Sequence, residues 1–92
     1  MRPLTHALPG ALAELLRDAP LSPGKVEFAW RAAVGPNLGR VTSVRLEGRV
    51  LIVEAANPHW AREIVRGSNI ILTRLKTLLG HDTVERMQVR EP

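Results

Sequence analysis

Hydrophobic positions along this chain recur at two periods, and the switches between those periods divide it into helices and strands. Leu8, Leu12, Leu15 and Leu16 recur at helical spacing, Pro9 is tolerated in a first turn, and Ala19-Pro20 ends the pattern, which predicts a short amphipathic helix over about 8–18. Ser22-Pro23 then supplies an N-cap followed by a proline at the first helical position. Val26, Trp30, Ala33 and Val34 form one stripe behind it, until Gly35-Pro36 stops the second helix. The period changes to two in RVTSVRL (40–46) and RVLIVEA (49–55), two strands joined by a two-residue Glu47-Gly48 turn. Asn57 before Pro58 repeats the cap-plus-proline start, and a long third helix is expected from about 58 to Leu79, where Gly80 ends it. A last alternating stretch, TVERMQV (83–89), reads as a third strand with Glu85, Met87 and Val89 on one face. The expected fold is α/β (α+β) in the order α-α-β-β-α-β, a three-stranded sheet backed by helices.

The core follows from the same pattern. At about 100° per residue, Trp60, Ala61, Ile64, Ser68, Ile71, Leu72, Leu75, Leu78 and Leu79 share one arc of the third helix. Trp30 and Trp60 both fall on apolar helical arcs and are expected in the core rather than as stacking platforms for bases. In the second strand Leu51, Val53 and Ala55 alternate with Val50, Ile52 and Glu54, so both faces are largely apolar and the second needs a cover. The first helix can supply it, or a partner protein can.

Length and composition bound the rest. At 92 residues and 10.2 kDa, with 45% hydrophobic residues, the chain is expected to be one domain over 1–92, its core within about 22–90. No cysteine is present, which excludes disulfides, thiolate metal sites and cysteine nucleophiles and fits a reducing cytoplasm. Apolar runs such as Val50-Leu51-Ile52-Val53 fall far short of the roughly 20 residues that span a bilayer. The opening MRPLTHALPG lacks the sustained apolar segment of a secretion signal, so neither membrane nor export is expected.

Charge adds a direction. Thirteen Lys and Arg stand against nine Asp and Glu, a net +4, and all the bases but Lys25 and Lys76 are arginine. The guanidinium fork binds phosphate oxygens bidentately, although arginine-rich usage is also what a GC-rich genome produces. The excess lies in the middle: residues 1–39 sum to +1, 40–76 to +4 and 77–92 to −1. Opposite the apolar arc of the third helix, Arg62, Arg66, Asn69, Thr73 and Lys76 follow one another at spacings of four, three, four and three. This polar line is either a solvated helix face or a ridge that tracks a phosphate backbone. Arg45 and Arg49 flank the hairpin turn, where two cations suit either a phosphate or simple solubility. Ile70 stands between the arginines and the core, where solvation gives no reason for it.

Catalytic candidates do not assemble. His6, His59 and His81 lie more than twenty residues apart with no nearby acidic cluster, so no metal site is expected. Ser22, Ser43 and Ser68 occupy cap, strand and helix contexts, none of them within G-x-S-x-G. The glycines of Gly35-Pro36-Asn37-Leu38-Gly39 precede Arg40-Val41 where a phosphate loop needs Lys-Ser/Thr, and a plain helix-to-strand turn is expected there. No enzyme and no cofactor is expected.

Three segments together resemble a known family. Phe28-Ala29-Trp30-Arg31-Ala32-Ala33-Val34-Gly35, with a strand soon after, resembles its W-x-x-x-V-G signature. Leu51-Ile52-Val53-Glu54-Ala55 running into Asn57-Pro58-His59-Trp60-Ala61-Arg62-Glu63-Ile64 is similar to its second signature, an alternating strand leading into a tryptophan-bearing helix start. The family is that of the DciA-like proteins, operators of the replicative helicase in bacteria without the DnaC-type loader, and the resemblance covers about 22–90.

The resemblance implies a single KH-like domain that helps bring the hexameric helicase DnaB onto DNA at replication initiation, touching both helicase and nucleic acid, with no catalytic activity. Family members often carry a basic, flexible extension, and with none after Pro92 this chain is expected to be a reduced version. The glycines here are spaced G-x-x-x-G before a strand, not G-x-x-G between helices, so the KH mode of clamping nucleotides is not carried over.

The sequence therefore predicts a non-enzymatic nucleic-acid-binding adaptor. Arg45, Arg49, Arg62, Arg66, Asn69, Thr73 and Lys76 would make sequence-independent, salt-sensitive contacts. The alternatives are a protein-interaction module or homodimer centred on Val50, Ile52 and Ile70, and a small RNA-binding protein.

Overall fold

A computed structural model describes residues 10–91, apart from the side chains of Leu12 and Ala13. Leu8, Pro9 and His6 lie outside the described residues. The elements are α1 (Gly10–Asp18), α2 (Pro23–Arg40), β1 (Thr42–Glu47), β2 (Val50–Ala55), α3 (Pro58–Arg66), α4 (Ser68–Leu79) and β3 (Arg86–Arg90). The α+β class and the order of elements agree with the sequence reading, with one helix more.

Local chemistry sets the boundaries. Ser22 Oγ accepts the Lys25 N–H at 3.1 Å and Asn57 Oδ1 accepts the Trp60 N–H at 3.1 Å, each ahead of a proline whose missing N–H costs nothing in a first turn. The hairpin turn is Gly48-Arg49, one residue later than expected, because Glu47 pairs with Val50. Gly48 has φ 61 and Arg49 a negative φ, the glycine-first pattern that matches strand twist.

Two helices depart from expectation. The single helix over 58–79 is two, broken at Gly67, which sits at φ −94 and ψ 12 and donates its N–H to the Glu63 and Val65 carbonyls. At Gly35 the backbone takes φ 86 and ψ 172, a region open essentially to glycine alone. The chain then resumes a helical turn over 36–40 where a plain turn was expected. Arg74 donates from Nη1 to the Ala33 carbonyl at 2.9 Å, placing a cation at the end of the helical segment that Gly35 interrupts.

The sheet has the order β1-β2-β3, antiparallel between β1 and β2 and parallel between β2 and β3, the parallel pair being connected through α3 and α4. Val44, Val53 and Val89 form one row of the inner face, and Leu46, Leu51 and Met87 the next. Trp30, Ala33, Ile64, Leu75 and Leu78 from the helices complete a single core with them. Trp30 is 2% exposed, and its Nε1 donates to Thr42 Oγ1 at 2.8 Å while that hydroxyl donates to the Leu38 carbonyl at 2.7 Å. The indole is thus buried without an orphaned N–H. Trp60 is half-buried against the core, its ring edge-on to His59 at 5.0 Å. Both tryptophans therefore pack as expected.

The outer face corrects the idea that α1 covers it, since α1 packs along α4 and Arg17 donates to the Thr77 carbonyl at 3.3 Å. The sheet's own register accounts for the burial of Ile52, which is 2% exposed. It lies between Arg45 on β1 and Gln88 on β3, and its rows on either side are Ser43-Glu54-Arg90 and Glu47-Val50-Arg86. Ile52 occupies the middle of this nine-residue lattice, a setting in which long polar neighbours can lay their aliphatic stems over an apolar centre.

Candidate nucleic-acid interface

The arginines differ in what already holds their charge. Arg45 projects from the outer sheet face between two carboxylates, donating from Nε to Glu47 Oε2 at 2.6 Å and from Nη1 to Glu54 Oε1 at 3.0 Å. The hydrogen bond from Arg45, reinforced by its charge, holds the Glu47 carboxyl below the usual glutamate range. Arg49 is occupied differently: its Nε donates to the Asp82 carbonyl at 3.0 Å, and the Arg49 carbonyl accepts the Glu85 N–H at 2.7 Å. Arg49 thereby ties the hairpin turn to the segment leading into β3.

Arg62 and Arg66 lie one turn apart on exposed positions of α3. They line an open groove with Val65, the end of β3 at Val89, and Glu91. Arg66 reaches Glu63 at 3.5 Å but keeps 77% of its side chain exposed. Arg62 has no ion pair among the described residues.

The remaining members of the expected line sit on α4, beyond the break at Gly67, so the regular four-three spacing does not continue as one helical face. Asn69 and Thr73 are exposed, and the Thr73 hydroxyl is turned back onto the Asn69 carbonyl at 2.9 Å; Lys76 is half-buried. Of the apolar candidates, Val50 is half-buried, Ile52 is buried and Ile70 is 62% exposed.

Sequence reasoning passed over four further arginines. Arg86 and Arg90 alternate outward on β3 and flank Gln88 on the outer sheet face. Arg31 and Arg40 are exposed on the two arms of the break in α2. None of the four has an ion pair among the described residues, although Arg40 donates to Asn37 Oδ1 at 3.2 Å. Outward alternation over TVERMQV and the Arg90 that follows it was a usable signal for the first two, hidden because the last segment is negative overall.

Among the described residues no three His, Asp or Glu side chains gather into a group able to hold a metal, and no helix is long and apolar enough to cross a membrane. Fold and surface together define a small α+β protein whose most distinctive polar feature is a set of exposed arginines. The chain belongs to the DciA family, described as the Dna[CI] antecedent, whose model matches residues 3–89. No curated protein matches the chain. Membership implies a role in loading the DnaB helicase at the initiation of DNA replication.

Proposed function

We propose that the chain serves helicase loading as a non-enzymatic adaptor that holds nucleic acid through its phosphates while it engages DnaB. The observation that carries this reading is the pair Arg62 and Arg66, exposed one turn apart on α3 beside the edge of β3, with one of the two charges uncompensated. Two guanidinium groups on one rigid element can bridge phosphate oxygens without reading a base edge, so contacts here are sequence-independent and weaken as salt rises. Asn69, Thr73 and Lys76, on α4 beyond the break at Gly67, and Arg45 and Arg49, already held by carboxylates and a carbonyl, contribute less. Replacing Arg62 and Arg66 together by alanine is expected to weaken DNA binding in fluorescence anisotropy while circular dichroism stays unchanged. Full retention of affinity would remove α3 from the interface.

A protein-facing surface is supported separately by Ile70 on α4, 62% exposed where water gains nothing from it. Ile70→Asp is expected to reduce DnaB capture, or self-association measured by sedimentation, and to leave the fold intact. Ile52→Asp, at a site 2% exposed, is expected to destabilise the sheet instead.

A further inference from the structure

The break at Gly35 makes a second surface, distinct from the α3 ridge. Phe28, Arg31 and Ala32 share the face of α2 opposite the buried stripe of Val26, Ala29, Trp30 and Ala33. Beyond the break, Pro36, Gly39 and Arg40 fold back beside that face, and the six residues line one open groove. The return is close: a Cβ at Gly39 would stand 3.3 Å from Arg31 Cγ, so the arginine stem lies along glycine backbone. Phe28, the only phenylalanine of the chain, is 51% exposed there. Arg31 and Arg40 bring two positive charges to the same groove with no ion pair among the described residues, and Glu27, four residues before Arg31, pairs with neither.

An exposed ring that shares one groove with two guanidinium groups free of ion pairs among the described residues meets two needs of one ligand class. A base whose face is not already stacked gains contact from the ring, and the phosphates on either side of it answer the charges; a duplex keeps its bases stacked and offers only the phosphates. We propose that this groove is a single-strand-specific nucleic-acid site in which Phe28 stacks one unpaired base and Arg31 and Arg40 hold the flanking phosphates. The proposal rests on the reading that the chain binds nucleic acid, and adds to it a discrimination that the α3 ridge has no means to make.

The test uses the full chain with a labelled oligo-dT strand and a labelled duplex of equal length, followed by anisotropy at low salt. Phe28→Ala is expected to weaken oligo-dT binding about 5- to 150-fold and to leave duplex binding unchanged. Phe28→Leu, which keeps the apolar bulk and loses the ring, should behave like the alanine variant, and Phe28→Tyr should bind like the unmodified chain. Oligo-dT binding unchanged in both the alanine and the leucine variants overturns the proposal, as does a loss shared equally by strand and duplex. If Arg62→Ala with Arg66→Ala weakens duplex binding while every Phe28 variant is silent, the groove fails and the ridge stands. If the unmodified chain binds neither probe, the underlying reading fails and the groove with it.

Discussion

Arg45 on the outer face of the sheet and Arg62 on the exposed face of α3 carry the same charge, yet use it in opposite ways. On the sheet, strand register sets Arg45 between Glu47 two residues along its own strand and Glu54 across on β2, and the guanidinium closes on both. On α3, Arg62 has no ion pair among the described residues and Arg66 has a single carboxylate at 3.5 Å. Ile52 sharpens the contrast, because at 2% exposure in the middle of that polar lattice it belongs to the fold's own packing and not to a free apolar surface. A count of positive charge cannot distinguish an arginine that organises a surface from one held out for a partner; the distance to the nearest carboxylate can.

The largest expected effect comes from breaking both surfaces together. Trp30→Ala removes a side chain 2% exposed and leaves Thr42 without its indole donor, with an expected loss of about 3–5 kcal/mol in denaturant unfolding. Affinity at every surface should fall with the folded fraction. Gly35→Ala is next and more selective. No neighbouring element comes within 4 Å of a Cβ added there, so its cost, about 1–3 kcal/mol, is that of holding φ 86 and ψ 172 against the local backbone. It should displace residues 36–40 and spare α3, so single-strand binding should fall further than duplex binding.

Surface substitutions separate the two kinds of arginine. Arg45→Gln is expected to lower duplex affinity and its salt dependence less than Arg62→Ala does, because two carboxylates already hold the Arg45 charge. The smallest effect is a pH dependence of stability. Glu47 titrates below its usual value in the folded chain, so its contribution is present above the carboxyl value of the unfolded chain and is lost as pH falls through the lower folded value. Because the pair is exposed, the drop in thermal midpoint across that acid range should be slight, and Glu47→Gln should remove it.

Much of this architecture was legible in the sequence because its signals were local. Ser22-Pro23 and Asn57-Pro58 fixed two helix starts, and strict alternation placed Leu51 and Val53 inward. Gly67 was invisible for a physical reason: the apolar period runs through it from Ile64 to Ile71, and a lone glycine can sit inside a helix. Gly35-Pro36 announced a stop but not the turn that follows, which returns Gly39 onto Arg31 and exposes Phe28 beside it. For the interface, helical spacing placed Arg62 and Arg66 on one exposed surface. The partners of Arg45 and Arg49 depend on strand register and on a loop thirty-three residues away, neither of which local spacing encodes.

The most direct test of the central claim is the salt dependence of duplex binding, followed by anisotropy in the unmodified chain and in the Arg62→Ala, Arg66→Ala double variant. If the exposed pair neutralises two phosphates, the plot of log affinity against log salt should be shallower in the double variant by about 1.8, since each phosphate left with its counterion lowers the slope by about 0.9. Identical slopes in the two proteins would contradict the assignment of phosphate binding to α3.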